Sequence, residues 1–123
     1  MIRVLVCGGR KFNLMGFMFN ELDKIQEERG GFSILIEGEA PGADQLAANW
    51  ALSRGVPLQP FPANWGKHGR SAGPIRNEQM LREGRPDLVI AFPGGYGTAH
   101  MVKIAKKADI EVLEYATSTS PAS

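Results

Sequence analysis

The chain reads as an α/β protein built on a five-stranded parallel sheet with helices on both faces. Three observations predict this. Short apolar runs alternate with helix-period segments at least four times, as in parallel sheets whose strands are joined by crossover helices. The linkers that enter strands are short and plain: Gly30-Gly31, Gly55 and Gly84-Arg85-Pro86. Those that leave strands are long and rich in glycine and charge, and ligands in such sheets bind beyond the carboxyl ends of the strands. The predicted strand order is 3-2-1-4-5. The third strand falls at an edge, because Pro57 and Pro60 each lack an amide donor.

The elements follow in order. Residues 2–7, Ile-Arg-Val-Leu-Val-Cys, are continuously apolar but for one arginine and make a buried strand. Residues 13–29 carry Leu14, Phe17, Met18, Leu22 and Ile25 at helical spacing, and Gly30-Gly31 ends that helix. Residues 32–36, Phe-Ser-Ile-Leu-Ile, form the second strand. A helix over 43–54 aligns Ala43, Leu46, Ala47, Trp50 and Ala51, and Gly55 closes it. Residues 56–61 make the third, proline-interrupted strand, and 62–74 a long loop. A short helix over 75–83 turns Met80 and Leu81 inward. Residues 87–92 are the fourth strand. A helix over 98–108 buries Met101, Val102, Ala105 and Ala108, and 110–114 form the last strand. Residues 1–115 make one domain, and the small polar tail 116–123 is expected to be disordered.

Composition narrows the function. The 123 residues are enough for one domain with a real core. An apolar content of 43% and a charged content of 22% are those of a soluble globular protein. The net charge of +1 argues against a general attraction to nucleic acid or membrane. A single cysteine, Cys7, excludes an intramolecular disulfide and a cysteine-rich metal site. No signal peptide or membrane-spanning run is visible, so a cytoplasmic protein is expected.

The most informative segment is Asp87-Leu88-Val89-Ile90-Ala91-Phe92-Pro93-Gly94-Gly95-Tyr96-Gly97-Thr98. A strand runs into three close glycines and then a helix. Such a turn brings backbone N–H groups near a bound group, and the positive end of the helix points to the same place. Phosphate is the expected occupant. A second signal is the stretch from Gln45 to Asn77, which holds no Asp or Glu but contains Arg54, Lys67, His68, Arg70 and Arg76. Arg76 and Arg10 are the candidates for neutralising phosphate, since a guanidinium offers two parallel hydrogen bonds. Lys11, Arg54 and Lys67 read as solvated surface charges.

Asp44 lies in the first turn of its helix. It serves the helix dipole or accepts a hydrogen bond from a ribose hydroxyl or a base N–H. Glu37 and Glu39 flank Gly38 at the end of the second strand, and either could act as acid or base if desolvated. His100 reads as an exposed helical residue, and His68 carries no assignment. Cys7 reads as a small core residue rather than a nucleophile. Trp50 belongs to the core, whereas Trp65, between Asn64 and Gly66, is placed to stack on a base. No grouping has metal-ligand spacing, and no cofactor is expected.

Four segments together resemble the SLOG superfamily, the ligand-binding domains related to the Lonely Guy (LOG) proteins, and its YspA-like branch in particular. They are Val6-Cys7-Gly8-Gly9-Arg10, the run from Glu37 to Asp44 followed by Ala47 and Trp50-Ala51, Ala72-Gly73-Pro74-Ile75-Arg76-Asn77 with Met80, and Phe92 to Ala99. The resemblance implies a Rossmann-like sheet with a nucleotide-derived ligand at the strand ends. The ligand-binding set would be Gly8, Gly9, Arg10, Gly38, Asp44, Arg76, Gly94, Gly95, Gly97 and Thr98. It also implies pairing of two copies through helices. LOG enzymes cleave the N-glycosidic bond of nucleoside monophosphates with a Pro-Gly-Gly-x-Gly-Thr-x-x-Glu motif and an upstream arginine. Arg76 keeps that arginine, but Met101 stands at the glutamate position. A hydrolase would need Glu37, Glu39 or Asp44 as its substitute. The segment from Ala40 to Asp44 also resembles the DNA-processing protein DprA, which implies single-stranded nucleic-acid binding. The sequence thus leaves a nucleotide binder, a phosphoribohydrolase and a nucleic-acid binder open, and favours the first.

Overall fold

In the computed structural model, which describes residues 1–116, five strands form one all-parallel sheet in the order β3-β2-β1-β4-β5. The strands are β1 (Ile2–Cys7), β2 (Phe32–Glu37), β3 (Leu58–Pro60), β4 (Leu88–Ala91) and β5 (Glu111–Glu114). The predicted class, order and edge position of the third strand all hold. The expected tail, 116–123, lies outside the described residues beyond Ala116.

The central strand explains the order. β1 pairs with β2 through Val4 opposite Leu35, and with β4 through Val4 opposite Leu88 and Val6 opposite Ile90. Both faces of this strand are buried, which is why it reads as an almost unbroken apolar run. β3 shrinks to three residues, against the six expected. Its outer edge needs no amide donors, and Pro57 still offers its carbonyl to the Leu35 amide at 2.8 Å.

Helices cover both faces. The helices α1 (Met15–Glu28) and α2 (Ala43–Arg54) close one side around Met18, Leu22, Ile25, Ala47 and Trp50. The Trp50 indole N–H donates to Asp23 at 2.8 Å, so its polar end is satisfied while the ring is buried. On the other side lie α4 (Ala72–Gln79), its π-helical extension Met80–Gly84, and α5 (Tyr96–Lys107). They pack Met80, Met101, Val102 and Ala105 on Leu5, Ile36 and Val89.

Three local expectations need correction. The stretch 62–74 is not a long loop. It contains the short helix α3 (Trp65–His68), a 3-10 turn at Gly69–Ser71 and the first residues of α4. Pro74 lies in the first turn of α4, where a missing amide costs nothing, so it begins the helix rather than preventing it. Leu14, just before α1, and Phe17, in its first turn, have the expected spacing but are 52% and 42% exposed. Phe17 instead meets Phe92 and Tyr115 edge-on. Ala108 follows the last turn of α5 and is exposed. No helix among the described residues is long and apolar enough to cross a membrane.

One residue controls how α2 joins the sheet. Gly42 precedes the helix at φ 78 and ψ −122, a region that side chains avoid. A Cβ there would run into the Gly9 carbonyl and the Arg10 backbone. Gly55, after the same helix, also has positive φ but faces open space. Gly42→Ala is therefore expected to cost about 3 kcal/mol of stability from strain plus overlap. Gly55→Ala should cost about 1 kcal/mol from strain alone. Urea denaturation of the two variants checks this difference.

Candidate functional site

The carboxyl ends of the strands form a cleft of about 730 Å³, a volume suited to a small-molecule ligand. Its floor is laced by backbone bonds through Gly9. The Gly9 amide donates to the Pro93 carbonyl at 2.9 Å, and the Gly9 carbonyl accepts from Ala43 at 3.0 Å. Gly94 packs so closely here that a Cβ would stand 2.6 Å from the Gly9 nitrogen. Gly95 and Gly97 have open space where their side chains would be. The glycines of this turn avoid crowding and leave amides uncovered. None of the three has positive φ, so close approach of the backbone rather than a left-handed conformation is what glycine supplies here.

The amides of Gly94, Gly95, Tyr96, Gly97 and Thr98 donate to no acceptor among the described residues. The last three are the first turn of α5, where no intrahelical acceptor exists. They add the positive end of the helix dipole to the cleft wall. Arg10, Lys11, Arg70 and Arg76 line the same cleft, with Asp44 as its one carboxylate. The electrostatics favour an anion with at least one hydrogen-bond donor.

Arg76 is not a free arm. Its Nη1 donates to the Gly38 carbonyl at 2.6 Å and its Nε to Asn77 Oδ1 at 3.1 Å. This leaves Nη2 without a partner among the described residues. Gly38 is buried beneath the guanidinium, since a Cβ there would overlap it. Burial lowers the Arg76 pKa and the nearby Asp44 charge opposes that shift. Asp44 is only 6% exposed. Its Oδ2 accepts from the amides of Gly38 and Ala40, each at 3.2 Å, while Oδ1 has no partner among the described residues. Burial raises the Asp44 pKa to about 6, against the pull of those amides and of Arg76.

The other two carboxylate candidates lie elsewhere. Glu37 and Glu39 line a separate groove beside β3 with Pro41, Leu58 and Pro60. Glu37 Oε1 accepts from the Glu39 amide at 2.6 Å. Its pKa rises to about 7, chiefly by burial. Cys7 is buried, which raises its thiol pKa. Arg54 is paired with Asp23 at 2.7 Å, and Lys67 is not part of the cleft. No group of three or more His, Cys, Asp and Glu among the described residues could hold a metal.

Sequence reasoning passed over Asn77, which is 5% exposed. Its Nδ2 donates to the Gly97 carbonyl at 3.1 Å and lies 3.1 Å from His100 Nδ1. It thus ties α4 to the first turn of α5. The expectation that His100 is an exposed helical histidine is corrected by this contact and by its half-burial. The neighbouring Arg76 carried the only signal, because a polar residue on a short helix does not reveal which way it points.

The family described as "YspA, cpYpsA-related SLOG family" matches residues 2–68. The chain is also 35% identical over 123 residues to the Gene 61 protein of Mycobacterium phage D29, covering 94% of this chain and 97% of that protein.

Glu37 and Asp44 bind their protons more tightly folded than unfolded. Between pH 4.5 and 7 the native state therefore holds more protons, and their contribution to stability is present below about pH 4 and lost as pH rises through 6 to 7. Glu37→Gln keeps the acceptor for Glu39 and removes the titration. Urea denaturation should show the variant more stable than the parent at pH 8 by about 2 kcal/mol, with the gap closing at pH 4.5.

Proposed function

The chain belongs to the YspA, cpYpsA-related SLOG family, and from that premise we propose that it binds a nucleotide or nucleotide-derived small molecule. The phosphate occupies the turn from Gly94 to Thr98, with Arg10 and Arg76 neutralising it. One observation carries this reading: five successive amides with no acceptor among the described residues stand at a helix N-terminus on the wall of a cleft with four cationic side chains. Asp44 Oδ1 accepts a hydrogen bond from a ribose hydroxyl. Residues 1–115 act as one ligand-binding domain. The net charge of +1 makes a nucleic acid a poor partner for it.

Gly95→Val tests the phosphate site. A Cβ at this position meets nothing within 4 Å, so the fold should survive, while the turn can no longer wrap a phosphate. Isothermal titration with AMP is expected to give saturable binding to the parent and none to the variant, with matching circular dichroism spectra. Equal affinity would reduce the turn to a connection between strand and helix.

The reading is of a binder rather than a hydrolase. Met101, at the position of the LOG glutamate, is fully buried and packs in the core. It cannot stabilise the positive charge that develops as an N-glycosidic bond breaks. Chromatography of AMP incubated with the protein should reveal little or no free adenine. Turnover of about one per second or faster would place the chain among enzymes. Asp44→Asn would then be the first variant to make, because Asp44 is the carboxylate on the cleft wall.

Two copies pair in this reading through the start of α1, where Leu14, Met15 and Phe17 are exposed. Sedimentation equilibrium at micromolar concentration is expected to give twice the mass of the 123-residue chain.

A further inference from the structure

Trp65 is an exposed tryptophan held in a fixed position. It opens α3, whose first turn is capped by Asn64 Oδ1 accepting from the Lys67 amide at 3.0 Å. The edge of its ring rests on Gly73, where an added Cβ would stand 3.5 Å from Cη2. Even so the residue stays 47% exposed, on the cleft wall. Its face is covered by the Arg10 guanidinium, 5.1 Å from the ring centroid. Arg10 comes from the opposite wall, after β1. Its side chain makes no hydrogen bond or salt bridge among the described residues, so it is held there by the stack on Trp65 and by the charge of Asp44 nearby. A planar cation over an indole is held by about 0.5–1 kcal/mol at an exposed site. A nucleobase stacked on an aromatic ring is worth about 1–3 kcal/mol. A base on the same face is thus the stronger stack of the two.

We infer that Trp65 is the platform for the aromatic base of the ligand, and that the base displaces Arg10 from it and frees that arginine for the phosphate. The inference rests on the phosphate reading above and adds to it the end of the ligand that carries the base. It also makes the two ends interdependent. A phosphorylated sugar without a base must pull Arg10 off Trp65 unaided. A nucleotide supplies the replacement stack itself. The ligand class that exploits the whole cleft is a nucleoside phosphate, with stacking that tolerates more than one base.

Two probes, AMP and ribose 5-phosphate, separate the two ends by isothermal titration. Trp65→Ala should weaken AMP about fivefold or more, the loss of the base stack outweighing the relief of no longer moving Arg10 off the indole. The same change should tighten ribose 5-phosphate about two- to fivefold, because Arg10 no longer has to leave the indole. Trp65→Phe, which keeps an aromatic face, should restore part of the AMP affinity. In an Arg10→Ala background, Trp65→Ala should no longer tighten ribose 5-phosphate. The inference is overturned if Trp65→Ala leaves AMP unchanged, or weakens both probes in the same proportion as a merely structural residue would. If the parent protein binds AMP but not ribose 5-phosphate, and Gly95→Val has no effect on AMP, the phosphate reading fails while the Trp65 variants still decide the platform. If the parent binds neither, both readings fall.

Discussion

The site depends on one residue's backbone. Gly9 donates its amide to Pro93 and accepts at its carbonyl from Ala43, with a further bond from Phe12 at 3.2 Å. These bonds join the ends of β1 and β4 to the start of α2. No side chain could serve here, since a Cβ on Gly9 would press on Pro93 and Gly94, and one on Gly42 would press on Gly9. The loops meet as bare backbone, and the amides from Gly94 to Thr98 are left without an acceptor among the described residues. Backbone groups held this way need no reorganisation to meet an anion, which is where preorganised sites gain their strength.

A second constraint is the burial of charge at the end of β2. Asp44, Glu37 and Arg76 are all desolvated there, and each answers differently. Arg76 spends two of its nitrogens on Gly38 and Asn77. Asp44 uses one oxygen to hold the Gly38–Ala40 turn and keeps the other unpaired. Glu37 faces a different groove and binds a proton more tightly than a free carboxyl. Removing Asp44 or Arg76 alone is costly, because the buried charge of the other loses its compensation. The cluster therefore fixes the geometry of the cleft floor as well as its charge.

Much of the fold was legible because periodicity and proline placement act on every residue of a strand at once. β1 is apolar on both faces and so must be central, while Pro57 and Pro60 push β3 to an edge. The helical nature of 65–74 was hidden by Gly66, Gly69, Gly73 and Pro74, which usually signal loops. A short helix, a 3-10 turn and the start of α4, placed end to end, tolerate them. In the cleft, Arg10, Asp44, Arg76 and the Gly94–Thr98 turn are brought together, whereas Glu37 and Glu39 are not. Glu37 is held by the Glu39 amide, whereas Asp44, on α2, is held by the amides of Gly38 and Ala40 and lines the cleft. The Asn77 link and the Arg10 stack on Trp65 join residues far apart in the chain, and no local pattern announces such contacts.

Amide NMR reads the central claim residue by residue. In a titration of the ¹⁵N-labelled chain with AMP, the account predicts the largest downfield proton shifts at Gly95, Tyr96, Gly97 and Thr98, as their N–H groups take up phosphate oxygens. Saturation with shifts concentrated elsewhere, with these four amides unmoved, would contradict it.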